Sequence, residues 1–233
     1  MSARVRIIAV AAVAVLGWPW AAFAQDPGQL QERVQAIRKN LADSRAALKH
    51  YEWIENTTVS MKGEQKSRVQ KRCFYDIKGK LEKTPIGEPQ EERKKRGLRG
   101  RAAKKKQEEI DQTMKSVRQL IASYVPPDPA KVQACNAAGK ASLTMIEPGK
   151  LARVDFKDYL KPGDLLGIEV DLSHNTITKL TVASYLEKPA DAVSLDATFQ
   201  ILQEGVTAPF QVTLDVKSTG IKTVVENSGH RRL

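Results

Sequence analysis

Residues 193–201, VSLDATFQI, and 210–216, FQVTLDV, decide the fold. In the first, Val193, Leu195, Ala197, Phe199 and Ile201 alternate with Ser194, Asp196, Thr198 and Gln200. In the second, Phe210, Val212, Leu214 and Val216 alternate with Gln211, Thr213 and Asp215. A period of two buries one face of a strand and leaves the other wet, as in an antiparallel meander. Turn residues punctuate the surrounding chain at Ser173-His174-Asn175, Glu187-Lys188-Pro189, Glu204-Gly205 and Ser218-Thr219-Gly220. The stretch from Gly163 to Asn227 therefore predicts four or five antiparallel strands with one apolar face, after which Asn227 to Leu233 closes the chain without a further element.

Upstream, the period changes twice. Leu30, Val34, Ile37, Leu41, Leu48 and Tyr51 recur at steps of three and four, with Ser44 in the one remaining slot, so a helix opens at Asp26-Pro27 and runs to about Leu48. Strands follow from Tyr51 to Met61, around Val69, Cys73 and Tyr75, and from Leu81 to Ile86, where Pro85 suits only an edge or an end. A basic run then begins. Arg93, Lys94, Lys95, Arg96, Arg99, Arg101, Lys104, Lys105 and Lys106 crowd a stretch in which Gly97 and Gly100 loosen any helix. From Ile110, the residues Met114, Val117, Ile121 and Tyr124 describe an amphipathic helix that Pro126-Pro127 ends. A short helix around Cys135 and strands at 141–145 and 151–156 lead into the meander.

The first residues read as an address. Arg4 and Arg6 precede an uncharged run from Ile7 to Leu16, and Ala22-Phe23-Ala24 fits a signal-peptidase site, making Gln25 the first mature residue. This predicts a signal peptide at 1–24, export to the periplasm or medium, and no transmembrane segment after cleavage. The remainder, 25–233, reads as a single α+β domain with a basic helical insertion at about 88–138. The whole chain carries +11, of which cleavage removes Arg4 and Arg6. Such an excess in an exported protein favours an anionic envelope surface as partner, and the address together with the lack of interleaved aromatics excludes nucleic acid. Cys73 and Cys135 are the only cysteines; in an oxidising compartment an even pair predicts one disulfide.

Chemistry-bearing motifs are missing. His50, His174 and His230 form no zinc-protease frame, and neither a G-x-S-x-G elbow nor a phosphate-binding glycine loop occurs. The sequence thus calls for no catalytic residue, metal or cofactor, and the protein is not read as an enzyme.

The pattern Tyr51-x-Trp53, Gly63, Tyr75-Asp76, Gly79-Lys80, followed by alternation after Gly167, resembles the periplasmic lipoprotein carriers, the half-barrel of LolA and RseB-type domains. The resemblance implies a curved antiparallel sheet covered by amphipathic helices, holding acyl chains or lipid-modified segments in an apolar groove. Two readings of function stay open. In one, a lipid or lipoprotein occupies a groove lined by Trp53, Val59, Phe199, Phe210, Val212 and Leu214. In the other, the basic run from Arg93 to Lys106 docks the protein on an anionic envelope component or protein partner. Oligomeric state is not legible.

Overall fold

The computed structural model describes residues 27–87 and 98–233, with side chains from residue 35 onward and, in the second segment, at residue 105 and from residue 108. The signal peptide predicted at 1–24 lies outside these residues. So does the basic run, except for the helical backbone from Leu98 and the exposed side chain of Lys105.

Chain order is α1 (Pro27–Leu48), β1 (Tyr51–Met61), β2 (Glu64–Tyr75), β3 (Leu81–Ile86), α2 (Leu98–Ala122), α3 (Pro129–Ala137), β4 (Ala141–Glu147), β5 (Leu151–Lys157), β6 (Leu165–Asp171), β7 (Thr176–Tyr185), β8 (Ala192–Ile201), β9 (Thr207–Val216) and β10 (Ile221–Arg232). All ten strands form one open antiparallel sheet in the order β3-β2-β1-β10-β9-β8-β7-β6-β5-β4. The α+β class, a curved antiparallel sheet with helices, is as the alternation required. Two meanders, β1 to β3 and β4 to β10, are joined where the last strand returns beside the first. Pro85 sits on β3, an edge strand, where its missing N–H costs no ladder bond.

Three sequence expectations are corrected. The chain does not end in an irregular tail: β10 continues to Arg232, because Gly229 at φ +62° takes up a register shift and lets Arg231 and Arg232 pair with Glu52 and Tyr51. Arg231 and Arg72 both hydrogen-bond the Glu52 carboxylate and hold its pKa low, Arg72 most strongly. Gly100 does not interrupt α2, which already runs at Leu98; a glycine inside a helix costs only about 1 kcal/mol, and the packed stripe downstream outweighs it. The third correction is the disulfide. Cys73 and Cys135 are free, buried thiols. Cys73 sits on β2, while α3 carries Cys135 against β4 and β5, and six strands lie between β2 and β5. A bridge needs Cα atoms within about 7 Å, little more than one strand spacing. Burial raises both thiol pKa values.

The helices share one face of the sheet, called the inner face here. Ser44, the polar interruption of the α1 stripe, accepts the Thr207 N–H at 2.9 Å, and Asn40 accepts the Thr207 hydroxyl at 3.1 Å. The sequence exception is thus the helix's anchor on β9. At the far side, α2 sets Val117 against Val193 and Val216, with Met114, Leu120 and Ile121 alongside.

Candidate functional site

Two adjacent rows of inner-face residues cross nine strands each. Directly opposed residues in an antiparallel ladder share a face, so the register defines the rows. One runs Leu143, Val154, Ile168, Leu180, Ala197, Val212, Val225, Thr57, Val69. The other runs Ala141, Phe156, Leu166, Val182, Leu195, Leu214, Thr223, Val59, Ser67. Apolar side chains dominate both, and full burial ends at β8 in both.

Over β5 to β8 the second row is buried throughout and the first at Leu180 and Ala197, with Val154 and Ile168 half-buried. Tyr124, in the turn just past α2, and Cys135 from α3 join Phe156, Tyr159, Leu166, Leu180, Val182, Leu195 and Ala197 in one cluster. A carboxylate locks this lid. Asp164, buried, accepts the Tyr124 hydroxyl and the backbone N–H groups of Tyr159, Leu160 and Lys161, the last two at 3.0 Å. Ser184 lies 2.8 Å from the same phenol oxygen. Burial, reinforced by Asp164, pushes the Tyr124 pKa far up, so it remains a donor at any physiological pH. Tyr159 in turn accepts the Asp128 N–H at 2.7 Å, tying down the link between α2 and α3.

From β9 onward the same rows are half-open. Val212, Leu214, Thr223, Val225, Thr57 and Val59 are half-buried, and Val69 at the end is 40% exposed. Among the described residues, a cleft of about 340 Å³ opens beside this half, between Met61 and Lys62 at the end of β1, Ile110 and Thr113 on α2, and Ser218 and Thr219. A larger cleft of about 720 Å³ runs along the hydroxyl- and amide-bearing side of α2, lined by Gln112, Ser116 and Gln119 with Glu187 and Asp191 opposite.

Val212 and Leu214 lie at the boundary, half-buried and packed against the closed cluster, with Val59 two strands further on in the open half. Phe199 lies past a bulge in the β8–β9 register and packs on the closed cluster. Phe210 is exposed and away from the rows. Trp53 stands at the other end of β1, stacked on His230 at 5.9 Å and tilted against Tyr75 at 6.0 Å. The sequence reading missed Val225, Thr57 and Val69. Val224-Val225 sits in a run without alternation, and only the β1–β10 pairing shows which of the two faces inward.

Where α1 crosses, the inner face turns polar. Asn227, Glu55, Lys71 and Pro85 form the next row across β10, β1, β2 and β3. Glu55 is buried and ion-pairs with Lys83. Burial lowers the His230 pKa, and Gln200 bonds its ring at 3.2 Å. Among the described residues, no group of three His, Cys, Asp or Glu is placed to hold a metal, and no helix is long and apolar enough to cross a membrane.

No family model and no curated protein matches this sequence. Among solved structures, a DUF1329 family protein from Desulfovibrio piger is similar at 10% identity and a TM-score of 0.38, over 87% of this chain and 92% of that one. A LolA superfamily protein from Nitrosomonas europaea is similar at 8% identity and a TM-score of 0.36, over 84% and 93%. Both are weak resemblances of overall fold.

Proposed function

We propose that the protein is an exported carrier, without catalytic activity of its own, that holds an acyl chain of a lipid or lipoprotein against β9, β10, β1 and β2. One observation carries this reading. Two rows that are mostly apolar, broken by Thr57, Thr223 and Ser67, cross the sheet, and from β9 to β2 none of their residues is fully buried. Scattered apolar residues on a surface need no explanation, but a contiguous strip continuous with the core does. Four strands at about 4.8 Å spacing give a strip roughly 15–20 Å long. Each methylene buried there contributes about 0.8 kcal/mol, so about eight would offset the several kcal/mol lost in ordering a ligand. The signal-like Arg4 to Ala24 segment supports a periplasmic or secreted location for such a carrier.

Native mass spectrometry of the protein purified from its own export pathway tests the proposal. Co-purifying lipid is the expected result, together with a change in emission of Trp53, the only tryptophan after residue 24. Absence of lipid, combined with no emission change on adding short-chain amphiphiles, would refute it.

A further inference from the structure

The polar row at the end of the open strip has two groups without partners. Glu55 lies between Lys71 on β2 and Asn227 on β10, and its carboxylate is taken by Lys83. That leaves Lys71, half-buried on the inner face, with no carboxylate partner among the described residues. A half-buried cation without a carboxylate partner costs desolvation that an anion would offset. Asn227 is the second group. Its Nδ2 donates to the Pro209 carbonyl at 3.3 Å, which can only accept, so the amide orientation is fixed. Its Oδ1 is buried and lacks a donor among the described residues. Buried polar atoms are nearly always satisfied, and each exception in a native protein asks for a cause.

We propose that this row is a headgroup subsite: Lys71 meets the phosphate of a glycerophospholipid, and Asn227 accepts from the headgroup's terminal N–H or O–H. The assignment rests on the carrier reading above, since the acyl chains would lie on the adjoining Val225, Thr57 and Val69 row, one step along the same face. Charge complementarity selects the occupant. Glu55 and Lys83 cancel, so the row presents one net positive charge from Lys71 and one acceptor from Asn227 about two strand spacings away. A fatty acid supplies the anion but no donor at that separation; a phosphate diester with a hydroxyl or amine tail supplies both. Trp53, two residues before Glu55, lies on the same side of β1 and stands beside the subsite as a reporter.

The test titrates the mature chain with three probes through Trp53 emission: didecanoyl phosphatidylglycerol, monodecanoylglycerol and free glycerol phosphate. Lys71→Met is expected to weaken the phospholipid about tenfold, the loss of one charge-assisted contact, and to change monodecanoylglycerol less than about twofold. Lys71→Arg, which keeps the charge, is expected to retain phospholipid binding and covers the case in which Lys71→Met does not fold. Equal weakening of both amphiphiles, or of neither, overturns the subsite while leaving the strip reading intact. If the parent binds neither amphiphile, the strip reading falls and the subsite with it. Glycerol phosphate binding as tightly as the phospholipid would show an anion site independent of acyl chains and overturn the lipid assignment.

Discussion

Val182 on β7 and Val69 on β2 lie on the same face of one sheet, in adjacent rows, but differ in cover and in neighbours, since Val69 lies past Gln70, where the β2–β3 pairing stops. Val182 is fully buried beneath the α2–α3 cluster, whereas Val69 is 40% exposed at the open end. Val182 has paired strands on both sides and the α2–α3 cluster above it, whereas Val69 is paired on the β1 side alone among the described residues and stands outside that cluster. The sheet supplies a largely apolar surface, interrupted by Thr223, Thr57 and Ser67 in its open half, and the helices cover one part of it more than the other. What an alternating sequence specifies is therefore the surface; whether that surface becomes filling or binding site depends on the cover.

The largest expected effect breaks the closed half. Asp164→Ala removes the acceptor of the Tyr124 hydroxyl and of three backbone N–H groups in a buried turn. Leaving that many buried donors unsatisfied should cost about 3–5 kcal/mol. Guanidinium denaturation checks it, a lowered midpoint at unchanged slope being expected. A cost below about 1 kcal/mol would mean that α2 is not held by this carboxylate, and the contrast between the halves would dissolve.

A matched pair measures the contrast itself. Val182→Ala deletes the same atoms as Val69→Ala. The first should destabilise by about 2–3 kcal/mol, through lost burial and the cavity left behind. The second should cost under about 1 kcal/mol, mainly lost strand propensity. Equal costs would show that the open half is packed as tightly as the closed half, and no strip would remain for a ligand. Bound amphiphile should in turn raise the cost of Val69→Ala and leave that of Val182→Ala unchanged.

Much of this arrangement is legible before any coordinates, and the reason is periodicity. Val193 to Ile201 and Phe210 to Val216 alternate strictly, so strand and inner face both follow from the sequence. Phe210 breaks the rule because the β8–β9 bulge lies beside it, and a bulge leaves no mark in a hydrophobic pattern. The terminal strand was illegible for a related reason. Asn227 to Arg232 contains polar and basic residues whose partners, Glu52 and Glu55, lie more than 170 positions earlier in the chain. Pairing that distant has no local signature. Cys73 and Cys135 show the limit of counting: an even number in an oxidising address suggests a bridge, but only strand order reveals that the two stand far apart in the sheet.

The smallest effect probes the polar end of the open half, where His230 stacks on Trp53. Burial lowers its pKa below the model-compound value of 6.5, so the folded protein favours the neutral ring. The unfolded chain then binds more protons than the folded one between the folded pKa and 6.5, and stability falls as pH drops through that window. Below the folded pKa both states are protonated and the loss is complete; above 6.5 neither is, and His230 contributes no pH dependence. Glu52, its pKa lowered by Arg72 and Arg231, also loses stability in acid, but it is common to parent and variant and cancels in a difference. Denaturation midpoints of the parent and of His230→Gln, compared at pH 8, 6 and 5, should therefore converge or cross as pH falls, with the parent losing more. Parallel pH curves would show that the ring is as hydrated when folded as when unfolded. The end of the strip beneath α1 would then be wet, and the boundary between core and strip would lie closer to β9 than the burial of Asn227 and Glu55 indicates.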